Sequence, residues 1–125
     1  MAKAATLDPP DYANIFEVRD DAHEYFADTA LGPRFLLTHA TSFGSTPAPG
    51  NRWQELAVGD RIEALGSTWS ITERVEAPKS WPTDDPALKE RTLGAGPGTL
   101  VLITCVPRWE GSATHNLIII AEEAA

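Results

Sequence analysis

Apolar residues in this chain gather in short runs bounded by turn formers and do not keep a helical period over any long stretch. Thr99-Leu-Val-Leu-Ile-Thr-Cys105 and Asn116-Leu-Ile-Ile-Ile-Ala121-Glu122 are the two strongest runs, rich in the β-branched residues that suit a pleated surface. Arg34-Phe-Leu-Leu-Thr-His39 is a shorter run of the same kind. Trp69, Ile71 and Glu73 alternate with Ser70, Thr72 and Arg74, the period of a half-buried strand. This strand is expected to return through a Gly66-Ser67 turn from one that begins at Gly59-Asp60 and runs through Ile62 and Leu65. Ile15-Phe-Glu-Val18 predicts one more short strand.

Helical pattern is confined to isolated turns. Residues 51–56 read as one turn that inserts Trp53 and Leu56 into the core. Residues 20–27 read as another, with acids at the end where the helix dipole favours them. The stretch 42–50 is too rich in Ser, Pro and Gly for regular structure. Residues 79–98 form a long connection, of the kind that is usually functional or mobile, with room for a short helix over 86–91. Residues 1–14, rich in Pro and Ala, are expected to be loosely ordered, with 15–125 a single domain.

At 125 residues the chain can bury one core, and ten prolines and nine glycines interrupt it too often for a helical protein. A mainly β fold, barrel or sandwich, is the expectation. The formal charge of −8, without a Lys/Arg cluster, opposes binding to nucleic acid or to anionic membranes. No run approaches the roughly 20 apolar residues of a membrane span, and the N-terminus lacks a signal-peptide core, so a soluble protein made in the cytoplasm without a membrane anchor is expected. The single cysteine excludes an internal disulfide.

That cysteine, Cys105, and His39 each end an apolar run, where strand gives way to loop. A thiolate and an imidazole at neighbouring strand ends make a nucleophile with its acid/base. The alternative is ordinary: a free cysteine is among the most buried residue types and often only fills space. Meeting in space decides between the two. No metal is indicated, because the three histidines and one cysteine lack closely spaced ligand pairs. No cofactor is expected either, since Gly94-Ala-Gly-Pro-Gly98 lacks the lysine and helix of a phosphate-binding loop.

From about Leu31 to Glu122 the chain resembles the sortases, cysteine transpeptidases of Gram-positive bacteria, and most of all the compact actinobacterial or phage-type members related to classes E and F. The resemblance is carried, in order, by His39-Ala-Thr-Ser-Phe-Gly44, Trp53-Gln-Glu-Leu56-Ala-Val-Gly59-Asp60-Arg-Ile62, Thr68-Trp-Ser-Ile-Thr-Glu-Arg-Val75, Val101-Leu-Ile-Thr104-Cys105-Val-Pro107 and the last apolar run from Asn116. The stretch around Cys105, with its proline two residues on, is the most specific of these.

The resemblance implies a sortase-like closed β-barrel with one or two short helices. It also implies a transpeptidase that cleaves a peptide sorting signal through a thioester acyl-enzyme and passes the acyl group to an amine. Cys105 would be the nucleophile and His39 the acid/base, with Arg108 or Asn116 at the oxyanion. Thr104, Asn116, Trp81 and Trp109 would contact substrate, the alternative for Trp81 being that it packs its loop onto the barrel. Its partners would be a protein or peptide carrying a sorting signal and an amine nucleophile. One departure stands out: sortases carry an arginine where this chain has Asn116. That change, with the missing anchor, supports a second reading, a weakly active or inactive sortase-fold domain that binds a peptide or packs into a larger assembly such as a virion, whether released or particle-associated.

Overall fold

The computed structural model describes residues 2–4, 15–18, 33–41, 48–109 and 113–124. The predicted turn over 20–27 and most of 1–14 lie outside these. The strands are β1 (Ala2–Ala4), β2 (Phe16–Val18), β3 (Arg34–Leu37), β4 (Arg61–Ala64), β5 (Ser67–Pro78), β6 (Thr99–Cys105) and β7 (His115–Glu123). Among the described residues three short helices join them: α1 (Pro49–Trp53), α2 (Trp81–Asp84) and α3 (Pro86–Thr92). No described helix is long and apolar enough to cross a membrane.

The sheet runs β1-β2-β3-β6-β7-β5-β4, and five of its strands curl into a half-barrel. The mainly β expectation holds, although this sheet curls only part of the way to the closed ring expected. The central strand β6 runs parallel to β3 and antiparallel to β7. Leu100 to Thr104 are all buried, because both faces of the strand are covered. A strand covered on both sides reads as a continuous apolar run instead of an alternating one. One face carries Phe35, Leu37, Val101, Ile103, Ile118, Ile120 and Ala77, closed over by Trp81 and Leu88. The other carries Leu36, Leu100, Leu102, Leu117, Ile119, Trp69 and Ile71, with Trp53, Leu56 and Ile62 packed against it.

A bulge at Thr72 decides which side chains β5 gives to which face. The register against β7 shifts between Ile71, opposite Ala121, and Glu73, opposite Ile120. The extra residue reverses the side-chain parity. Trp69 and Ile71 therefore enter one core while Val75 and Ala77 join the other. Simple alternation put Glu73 beside Ile71, and the bulge overturns that. The same shift sets Ala77 opposite Asn116.

Two further expectations are corrected. The β4–β5 turn is Leu65-Gly66, one residue earlier than expected, because Ala64 pairs with Ser67 and leaves two central residues with φ of 54° and 78°. Such a turn needs positive φ at both centres, and glycine takes only the second without strain. The loop over 42–50 was expected to be irregular throughout, yet Pro49 and Gly50 begin α1. The 79–98 connection holds two helices. Pro82 stands at the start of α2, and Asp85 caps α3 by accepting a hydrogen bond from Leu88 N–H at 3.0 Å.

Candidate active site

Two columns of apolar residues on one face of the sheet end in polar side chains at the same edge, and a third leads on to His39. In β6 the column is Val101, Ile103 and then Cys105; in β7 it is Ile120, Ile118 and then Asn116. In β3 it is Phe35 and Leu37, and the chain goes on to His39. The parallel register pairs Leu37 with Ile103, and Thr38 N–H donates to Ile103 C=O at 3.3 Å. That bond carries the ladder one residue beyond the strand and brings His39 level with Cys105. Neighbouring strands run about 4.8 Å apart.

Cys105 and Asn116 face each other directly. The next bond along, from Val106 N–H to His115 C=O at 3.0 Å, makes Cys105–Asn116 a non-hydrogen-bonded pair, the kind whose side chains approach more closely. Asn116 Nδ2 stands 4.0 Å from Cys105 Sγ and donates to Thr104 C=O at 3.3 Å. His39, Cys105 and Asn116 are each half-buried.

The helix α1 ties the ends of β3 and β6 together from the opposite face. Gly50 N–H donates to His39 C=O at 2.9 Å. One turn later Gln54 Nε2 donates to Gly50 C=O at 2.9 Å and to Cys105 C=O at 3.0 Å. Asn51 fixes the segment after His39, its Oδ1 accepting from Thr41 N–H at 2.9 Å and its Nδ2 donating to Thr41 C=O at 2.9 Å. Arg74 holds the exit of α1 by donating to Gln54 C=O at 3.0 Å and Leu56 C=O at 3.1 Å. None of these positioning residues was singled out for a role at the site from sequence. The signal available was the Gly-Asn-x-x-Gln spacing, which has no chemistry of its own.

The other expected site residues fall in different places. Thr104 lies on the face away from Cys105, 3% exposed, with its hydroxyl packed at Gly50 and without a hydrogen-bond partner. Strand alternation dictates this, since adjacent residues point to opposite faces. Trp81 is 2% exposed and packs in the core. Its indole Nε1–H reaches Asn116 Oδ1 at 3.2 Å. Arg108 and Trp109 follow Pro107 on exposed chain, Trp109 at 76%. His115 is exposed, with Nδ1 2.9 Å from Thr114 Oγ1.

No protein-family model matches the chain, and no curated protein does. Solved structures do match. Sortase A from Corynebacterium diphtheriae, a lid mutant, superposes with a TM-score of 0.58 at 16% identity, over 100% of this chain and 61% of that one. Sortase C1 from Streptococcus agalactiae gives 0.58 at 17% identity, over 90% and 54%. Sortase C-1 from Actinomyces oris gives 0.51 at 22% identity, over 74% and 49%. The chain has the sortase fold.

At these identities the likeness carries the fold, and the chain spans 49 to 61% of the length of these three sortases. They are of types A and C, so the narrower likeness to classes E and F stays with the sequence motifs. Within the sortase fold of this chain, the end of β6 that bears Cys105 is flanked by the segment bearing His39 and by Asn116 of β7.

Proposed function

We propose that this chain is a sortase-type cysteine transpeptidase, with Cys105 as nucleophile and His39 as acid/base. The observation that carries this reading is the register that brings His39 level with Cys105 at the ends of adjoining strands in a sortase fold. In the first step the Cys105 thiolate attacks the carbonyl carbon of a scissile amide in an extended peptide, and the carbonyl oxygen takes the negative charge. In this reading Asn116 Nδ2 and the guanidinium of Arg108 donate to that oxygen and stabilise it. As the C–N bond breaks, the leaving amine takes a proton from His39 and a thioester remains on Sγ. An incoming amine then attacks the thioester, gives its proton to His39 and releases the thiolate as the C–S bond breaks.

Trp109, exposed beside Arg108, is the candidate for substrate contact. Thr104 and Trp81, buried as described above, belong to the framework. The substrate proposed is a protein or peptide with a sorting signal, and the acceptor an amine such as a peptide N-terminus. The relation to classes E and F, and a phage origin, remain part of the proposal on the sequence motifs alone.

A second reading, a sortase-fold binding or structural domain, draws on Asn116 standing where the resemblance calls for an arginine. A thiol-selective probe separates the two. Preferential labelling of Cys105 at neutral pH, lost in His39→Ala, supports the enzyme. A thiol in the folded protein that reacts no faster than a free cysteine and is indifferent to His39 supports the binder.

A further inference from the structure

Asn116 occupies a position where its amide has two orientations, and only one presents hydrogens to Cys105. A carboxamide is nearly symmetric in shape, so its neighbours choose the orientation. The indole N–H of Trp81 is a donor only, and it meets Asn116 at 3.2 Å. It must therefore face Oδ1. On the other side Thr104 C=O, an acceptor only, stands 3.3 Å from Nδ2. Both neighbours select the same orientation, which leaves the second Nδ2 hydrogen for the side of Cys105, whose Sγ is 4.0 Å away.

Trp81 is well placed to hold that choice. It starts α2, next to Pro82, and is 2% exposed in the core cluster that also holds Phe35, Leu37, Ile103 and Ile118. A ring packed this way cannot swing to another acceptor. Flipping the amide would set Nδ2 against the indole N–H and Oδ1 against a carbonyl oxygen, losing two hydrogen bonds in a partly dry site.

We infer that Trp81 is a positioning residue that locks the Asn116 amide with Nδ2 toward Cys105, so that a neutral, oriented donor serves the sulfur and the oxyanion. This rests on the transpeptidase reading for its catalytic meaning, but the lock itself is a property of the resting protein. Trp81 acts through Asn116 and touches no reacting atom.

The test uses the full chain and iodoacetamide, which alkylates Cys105 with loss of iodide and needs no peptide. In Trp81→Phe, which keeps an aromatic ring and removes the N–H, alkylation at neutral pH slows on the order of fivefold, the worth of one ordinary hydrogen bond. Asn116→Leu slows it at least as much, and adding Trp81→Phe to Asn116→Leu has no further effect. A merely structural Trp81 would give effects that multiply.

NMR of the unmutated protein gives a reading that needs no variant to fold. The Trp81 indole N–H exchanges slowly with solvent, and the Asn116 side-chain amide resonances shift when Cys105 is capped with a methylthio group. Wild-type alkylation rates in folded Trp81→Phe, or Asn116 amide resonances blind to capping, would overturn the lock. Where acyl-enzyme forms but Trp81→Phe matches wild type, the lock fails and the transpeptidase stands. Where the lock passes both tests and no peptide ever acylates Cys105, the transpeptidase reading fails instead.

Discussion

Gly50 sits directly against Thr104: a Cβ added to Gly50 would overlap the Thr104 hydroxyl and come within 2.6 Å of His39 C=O. The helix α1 can therefore approach the ends of β3 and β6 only with glycine at this position. The contact ties the two halves of the candidate site to one point of backbone. It also accounts for the burial of Thr104 on the far face.

Gly50→Ala is expected to lower stability by about 1 to 3 kcal/mol, as overpacking does, and to slow any reaction at Cys105 by displacing His39. Adding Thr104→Ala relieves the side-chain part of the clash. The double variant should recover part of the stability and not all of it, because the His39 carbonyl remains in the way. Thermal unfolding of the two singles and the double measures this. Full recovery, or none, would mean that the contact is placed wrongly.

Gln54 gives a separable prediction. Its Nε2 bridges Gly50 C=O and Cys105 C=O, and glutamate has nearly the same shape with no N–H to donate. Gln54→Glu turns two attractive contacts into oxygen-to-oxygen ones. Stability is expected to fall by about 1 to 3 kcal/mol, and the alkylation rate of Cys105 to change with it. Gln54→Glu indistinguishable from wild type in both would remove α1 from the positioning of Cys105.

The bulge predicts an asymmetry between deletions. Ile71 and Glu73 stand opposite the consecutive residues Ala121 and Ile120. Removing Thr72 therefore leaves a regular ladder with every flanking side chain on its present face. Deleting Glu76 instead moves Ala77 off Asn116 and breaks the register that leads to Trp81. The Thr72 deletion should fold, with a modest loss from the altered bend. The Glu76 deletion should unfold or lose cooperativity, as denaturant melts and amide spectra would show. The opposite ranking would contradict the register.

Much of this fold was legible in the chain because β3, β6 and β7 are covered on both faces and advertise themselves as unbroken apolar runs. The level placement of Cys105 and His39 at the ends of adjoining strands was legible for the same reason, since both end such runs. The bulge was not. Thr72 is one polar residue in an alternating strand, and only the partner strand reveals the extra residue. Trp81 was left between substrate contact and packing of its loop onto the barrel, because burial of a tryptophan after a strand depends on what the loop folds onto; it packs. Thr104 was expected at the site, although alternation beside Cys105 already sets it on the opposite face, where Gly50 covers it. Gly50 and Gln54 act through backbone carbonyls, which sequence does not display.

The central claim is that Cys105 and His39 act together on a peptide carbonyl. Intact mass spectrometry tests it most directly, on protein incubated with a library of Leu-Pro-x-Thr-Gly-like and Leu-Ala-x-Thr-Gly-like peptides, with and without a glycine nucleophile. The expected result is a thioester adduct on Cys105 that is discharged by the amine and is absent in Cys105→Ala and His39→Ala. A well-folded protein that forms no adduct with any peptide, and whose thiol is as inert with His39 as without it, would contradict it.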